Sequence, residues 1–239
     1  DLFIPELGGR RLLGSVYAGF GQTLLESLNL SPLLRESERR IACPDLMLVQ
    51  SLRARGCPIL ALTAHLANWD LLAAWTVAQG FSLVTVGREA QNAAFQSALT
   101  NIRAGNGVHT VWRGDRTGLR ELVSHFRRSG VVAALIDQDT SVVSQAIPFF
   151  GVPVRTPSSL VELALKFKAV IVTAFVLRDA FQHYTVRVQV IDNPVDTARV
   201  LEVYNQRLEA LIRSYPEQWV WVHKRWRSDD PQHADDDHA

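Results

Sequence analysis

An α/β fold with a mostly parallel central sheet, flanked by helices on both faces, is what the sequence predicts, and two patterns predict it. Short apolar runs at 59–63, 81–86, 108–112, 131–136, 169–177 and 184–191 alternate with helical periodicity at 69–78, 93–104, 117–128, 158–167 and 196–214. Strands that alternate with helices return in parallel and need cover on both sides. The composition agrees: 239 residues, 47% hydrophobic and 21% charged, are enough for a sizeable core, and no long Pro, Gly or Ser tract marks a linker. A single domain is expected over 1–228, with a helical segment at 1–57 in front and an acidic, solvated tail at 229–239.

Each element has its reason. The first helix, at 10–28, carries Leu12, Leu13, Val16, Phe20, Leu24 and Leu28 at helical spacing behind Arg10 and Arg11. Such a stripe either packs on the protein body or lies on a membrane surface. A polar connection at 31–40 and a short helix at 45–55 follow. Ile59 to Thr63 is apolar throughout, as in a strand buried on both faces, and Asn68 is placed to cap the helix that starts at Trp69. The last two strands, joined through 179–182, are expected to pair antiparallel. The stretch 140–156 is too long for a plain connection and holds the apolar Ile147-Pro148-Phe149-Phe150, so it is expected to be functional.

The same features exclude several classes. A formal net charge of +1 gives no basis for a nucleic-acid partner. The apolar run at 169–177 is about half a membrane span, and 12–30 is interrupted by Gln22, Glu26 and Asn29, so no bilayer-crossing helix is expected. The chain starts at Asp1, which leaves an upstream anchor open. Two cysteines, Cys43 and Cys57, point to a reducing compartment.

The chemistry concentrates at His65 and Asp70, which follow the 59–63 strand. On one continuous helix, five positions at ~100° each leave side chains roughly 140° apart, so their pairing requires a strand-loop-helix corner. A neutral imidazole there takes a proton from an attacking hydroxyl while a carboxylate fixes its tautomer. No Gly-x-Ser-x-Gly elbow is present, and neither cysteine has a His beside it in sequence, so direct transfer fits better than a covalent enzyme intermediate. His65, Arg88 and Asp137 all fall just after strands, where ligands collect in open α/β sheets. Arg88 offers a fork of donors for an oxyanion or a phosphate. Asp137 and Asp139 orient an arginine, bind acceptor hydroxyls or merely shape a turn; no metal is expected on them. Phe149 and Phe150 line an alkyl tunnel or complete the core. Arg113, Arg116, Arg120, Arg127 and Arg128 form either a landing site for an acidic carrier protein or a solvated face.

Four blocks in order carry a resemblance. His65-Leu66-Ala67-Asn68-Trp69-Asp70, Val86-Gly87-Arg88 with Asn92, Asp137-Gln138-Asp139 with Pro148-Phe149-Phe150-Gly151-Val152-Pro153 and Thr156-Pro157, and Pro216-Glu217-Gln218-Trp219 with Trp221 to Arg227 resemble the bacterial lipid A biosynthesis acyltransferases of the lysophospholipid acyltransferase superfamily. The chain departs from that pattern at Ala67, where Gly is usual, at Asp70, where Glu is common, and at Thr173, where Pro is usual. The resemblance implies a glycerol-phosphate-acyltransferase-like fold and an acyl thioester, on acyl carrier protein or CoA, as co-substrate without a further cofactor. It also implies a lipid A precursor or related glycolipid or lysolipid as acceptor. In that reading His65 is the base, Asp70 its orienter, and Asn68, Arg88, Asp137, Asp139, Phe149, Phe150 and Arg225 shape the substrate sites. The place of work is the cytoplasmic face of the bacterial inner membrane, reached peripherally or through an anchor. The alternatives are an amine, small soluble or water acceptor on the same chemistry, and a lipid-binding protein without turnover, a course the Thr173 departure leaves open.

Overall fold

The computed structural model describes residues 9–114, 117–139, 142–223 and 225–226; the acidic tail, Arg116, Lys224 and Arg227 lie outside them. In chain order these residues form α1 (Gly9–Ser27), α2 (Ser31–Arg35), α3 (Ser37–Arg40), β1 (Ile41–Ala42), α4 (Leu46–Arg55), β2 (Ile59–Thr63), α5 (Trp69–Ala78), β3 (Leu83–Gly87) and α6 (Ala93–Gly105). They continue as β4 (His109–Trp112), α7 (Gly118–Arg127), β5 (Val131–Leu135), β6 (Ser144–Phe149), β7 (Val152–Pro157), α8 (Ser159–Lys166), β8 (Val170–Ala180), β9 (His183–Val190), α9 (Thr197–Ser214) and a 3-10 turn at Pro216–Gln218.

Seven strands make one sheet in the order β1-β9-β8-β2-β5-β3-β4. Neighbours run parallel except β8 and β9, the pair expected to be antiparallel. β2 lies near the middle, flanked by β5 and β8, with Leu60 level with Val132 and Ile171. Successive side chains on a strand point to opposite faces, and the core divides accordingly. Leu60, Leu62, Val132, Ile171 and Phe175 face one cluster with residues of α7, α8 and α9. Ile59, Ala61, Val131, Val172 and Val176 face another with residues of α4 and α5. Helices therefore cover both faces, as the alternation required.

Two expectations change. The polar connection at 31–40 is helical, α2 and α3, and leads into β1, which a two-residue apolar signal does not announce. The 140–156 stretch holds a two-stranded hairpin in which Phe149 pairs with Val152. Its tip, Phe150-Gly151, has φ of 51° and 77°, the positive pair that suits the right-handed twist of the strands.

Candidate active site

The corner after β2 is built as its residues require. Asn68 caps α5 by accepting from the Leu71 amide at 2.9 Å. The loop before it is held by the C-terminal segment: the Ala67 amide donates to the Gln218 carbonyl at 2.8 Å, and the Val220 amide to the His65 carbonyl at 3.0 Å. Ala67 has φ of 47°, a left-handed conformation that costs an L-residue roughly 1–2 kcal/mol and glycine little. The departure at this position is therefore a strained alanine in a place shaped for Gly.

The carboxylate on His65 is Asp137, not Asp70. His65 Nδ1 lies 2.8 Å from Asp137 Oδ1, and the His65 backbone amide donates to Oδ2 at 2.9 Å. Trp219 Nε1 donates to that same oxygen at 2.9 Å. An ionised carboxylate only accepts, so Nδ1 carries the proton and Nε2 is left for a substrate. Burial raises the Asp137 pKa, and the His65 charge together with donors from His65 and Trp219 outweighs it, leaving the pKa below the ordinary value. Asp70 is turned the other way, where it accepts from Arg103 Nε at 2.8 Å. The His-x4-Asp motif thus supplies two carboxyl-bearing pairs in one site, His65 with Asp137 and Asp70 with Arg103. The second link was missed because Arg103 sits on α6, 33 residues from Asp70.

Both pairs open on a cavity of about 320 Å³. Its rim is polar, with His65, Asp70, Arg88, Arg103, Arg113, Asp139 and His223. Its floor carries Ala61, Ala133 and Ala174 together with Thr63 and Thr85 from the sheet, facing Leu72, Ala73 and Thr76 of α5. Trp69 lines the wall, its ring 5.0 Å from that of His65 at 70°. Arg88 and Arg113 follow β3 and β4 side by side; burial lowers the Arg113 pKa and the Arg88 charge lowers it further. Among the described residues neither forms an ion pair with an acid. Arg120, Arg127 and Arg128 are exposed on or just after α7.

Several sequence candidates stand elsewhere. Phe149 and Phe150 do not border the cavity: they stack with Trp219 and Trp226 in the core on the face of Leu60 and Leu62. Their run is apolar because it fills a core. Arg225 is 1% exposed and donates to the Arg155 carbonyl and to Thr156 Oγ1, fastening β7 rather than an acceptor. Burial lowers its pKa against the opposing charges of Asp137 and Asp139 and the Tyr204 hydroxyl. Asn68 is fully buried and works as a cap. Asp139 does reach the rim, 3.8 Å from Arg155 Nε. Thr173 lies inside β8 on the face away from the cavity and accepts from Arg207 at 3.0 Å, so that departure leaves the cavity wall untouched. Among the described residues no cluster of His, Cys, Asp or Glu suits a metal ion.

A histidine whose Nδ1 is held by a buried carboxylate, with Nε2 left free beside a cavity, is placed as a general base would be. The chain matches the family model described as "Bacterial lipid A biosynthesis acyltransferase" over residues 9–228, and it belongs to that family. It is 24% identical over 212 residues to "Phosphatidylinositol mannoside acyltransferase" of Mycobacterium tuberculosis, in strains CDC 1551 / Oshkosh and ATCC 25618 / H37Rv. That match covers 86% of this chain and 65% of each relative, so the chain spans about two thirds of their length.

Asp137 contributes a definite pH signature. Its folded pKa lies below the unfolded value, so its stabilisation is present above ~4 and is lost as pH falls through the folded pKa. In acid titrations of the unfolding free energy, wild type should show this slope and Asp137→Asn should lose it; equal slopes would show that the carboxylate is not held ionised by its donors.

Proposed function

We propose that the chain transfers a fatty acyl group from an acyl thioester, carried by acyl carrier protein or CoA, to a hydroxyl of a membrane glycolipid. A lipid A precursor, or a mannoside of the kind in the relatives' name, has the required chemistry. The observation that carries the reading is His65 Nε2, with Asp137 behind it, at the polar rim of a cavity whose floor carries alanines. The sheet is then of the glycerol-phosphate-acyltransferase kind.

In this reading the acyl chain lies on that floor, each buried methylene contributing ~0.8 kcal/mol, with the thioester carbonyl at the rim. The acceptor oxygen attacks the carbonyl carbon while its proton passes to Nε2. The imidazolium is stabilised by Asp137, as in other carboxylate-oriented histidines. The C–S bond then breaks, the electron pair leaves on sulfur, and the proton on Nε2 goes to the thiolate, giving ester and thiol. Arg88 and Arg113, two adjacent cations without an acid partner among the described residues, hold an anionic group of donor or acceptor. Asp70, fixed by Arg103, and Asp139 are at the rim to receive acceptor hydroxyls.

The lipid acceptor places the chain at a bilayer, at the cytoplasmic face of the bacterial inner membrane. No helix among the described residues is long and apolar enough to cross one. The structure divides the α1 stripe: Leu12 and Val16 are buried, whereas Leu13, Tyr17, Leu24, Leu25 and Leu28 are 43–72% exposed, with exposed Arg10 and Arg11 at the start of the helix. A face of leucines led by arginines suits an anionic lipid surface.

Three variants and one product analysis test this reading. His65→Ala should abolish ester formation from a labelled acyl thioester with glycolipid acceptor while leaving the circular dichroism unchanged; near-normal turnover would remove the base. Product analysis in the same assay separates transfer from hydrolysis and from binding without turnover. Ala133→Leu, which fills the cavity floor, should move the preferred donor toward shorter chains, and an unaltered chain-length profile would place the acyl group elsewhere. Leu25→Asp should weaken co-sedimentation with phosphatidylglycerol vesicles several-fold without lowering thermal stability, and undiminished binding would acquit this face of α1.

A further inference from the structure

The last turns of α1 direct polar residues inward. Leu24, Leu25 and Leu28 face out, whereas Thr23, Glu26 and Ser27 are turned toward the protein, with Thr23 2% exposed and Ser27 8% exposed. The Glu26 side chain is 9% exposed, and Arg178 Nη2 lies 3.2 Å from its carboxylate. The same carboxylate oxygen accepts from Tyr184 Oη and, at 3.1 Å, from Asn68 Nδ2. Gln22 donates to the other oxygen at 2.8 Å. Burying an acid in this way is costly unless it is fully hydrogen-bonded, and no part of the acyl-transfer chemistry uses it.

The bonds of this cluster converge on the corner that carries His65 and Asp70. Glu26 holds the Asn68 amide, which fixes the Asn68 oxygen on the Leu71 amide, where α5 begins. Ser27 donates to that oxygen at 3.4 Å. Thr23 donates to the Ala67 carbonyl at 2.8 Å, clamping the residue whose φ is 47°. Arg178 reaches Thr23 Oγ1 at 3.0 Å, and its backbone amide donates to Gln218 Oε1 at 2.8 Å. Gln218 also receives the Ala67 amide on its carbonyl. The loop between His65 and Asp70 is thus gripped from α1 on one side and from β8 and the C-terminal segment on the other. His65 is set by Asp137 and Asp70 by Arg103, but the distance and angle between those two pairs depend on this loop.

We propose that Glu26 is a positioning residue for the active site, holding the Ala67-Asn68 turn through Asn68 so that His65 and Asp70 meet the substrate in one fixed arrangement. The proposal rests on the acyl-transfer reading for its kinetic readout and on the hydrogen-bond cluster alone for its structural one. Small displacements of a reacting group cost large factors in rate, so the effect belongs in kcat rather than in donor binding, whose cavity floor the cluster does not touch.

A reciprocal exchange tests it in the full chain. Asn68→Asp keeps an oxygen on the Leu71 amide, so α5 is still capped, but sets a second carboxylate against the Glu26 oxygen to which the Asn68 amide donated, and so breaks that link. It should lower kcat tenfold or more, with KM for the acyl thioester within twofold of wild type and at a temperature well below the variant's melting point. Adding Glu26→Gln replaces one of the two facing carboxylates by an amide that can donate to the other, and should recover at least half of the lost kcat. A role limited to stability predicts lower melting temperatures for both variants with kcat unchanged, and that result overturns the proposal, as does a double variant no better than the single one. If wild type consumes no acyl thioester, the functional reading fails on its own, and amide hydrogen exchange decides the inference. Leu71 should then exchange at least tenfold faster in Asn68→Asp and return toward wild type in the double variant, with the β2 amides unchanged. Equal Leu71 rates would end it.

Discussion

A carboxylate almost closed to water, with three donors on its two oxygens, ties the end of β5 to the end of β2 and both to the C-terminal segment. Asp137 is 1% exposed and takes the His65 amide, the His65 ring and the Trp219 indole. An ionised carboxylate in such surroundings costs several kcal/mol of hydration, and stripping away one partner of a buried charge typically costs about 3–5 kcal/mol. The three elements are therefore held to one geometry, because any displacement leaves a charge short of a donor. The same requirement aims Nε2 of His65 at the cavity. Through the Trp219 indole the C-terminal tryptophan cluster, remote in sequence, bears on the same site.

The layered fold is legible in the sequence because apolar runs and helical periodicity are local. The identity of the orienting carboxylate is not, because it depends on register. Thr63 pairs with Leu135 in the parallel β2–β5 ladder, an offset of 72 residues, and the same offset carries His65 to Asp137. Both residues are recognisable as strand-end candidates, yet nothing in two apolar runs states which residue of one lies beside which of the other. Proximity along the chain favours the nearer acid. Once Asn68 starts α5 at Trp69, however, Asp70 occupies the first turn and swings toward Arg103 on α6.

Misplaced roles elsewhere have the same origin. Phe149 and Phe150 suit a tunnel by their apolarity, and apolarity does not tell a tunnel from a core. The face of the sheet decides it, and the hairpin β6–β7 packs on the face opposite the cavity. Thr173 bears on the cavity wall only if its side chain points there, and with Phe175 and Leu177 it points away. Ala67 stands where the family pattern has Gly, and the structure gives the reason: its φ is positive, a backbone that L-residues resist, held by its hydrogen bonds with α1 and Gln218.

The two faces of the sheet also explain why there is room for a substrate at all. On the face of Leu60 and Leu62 the core is filled by large rings, Phe149 edge-on to Trp219 and Phe175 tilted against Tyr204. On the other face Ala61 and Ala133 stand side by side in register, and Ala174 lines the cavity from β8, so these positions present methyl groups between branched neighbours such as Val172, which is level with Ala61. Interiors normally close such gaps, at a cost of a few kcal/mol when they fail to. Above this gap the start of α5 is fixed: Asn68, which caps the helix and is clamped from α1, sets where it begins, and the Asp70–Arg103 pair ties its first turn to α6. A rigid corner above small side chains leaves a space that the protein itself does not fill. Into the mouth of that space points the histidine that the buried carboxylate after β5 holds in place.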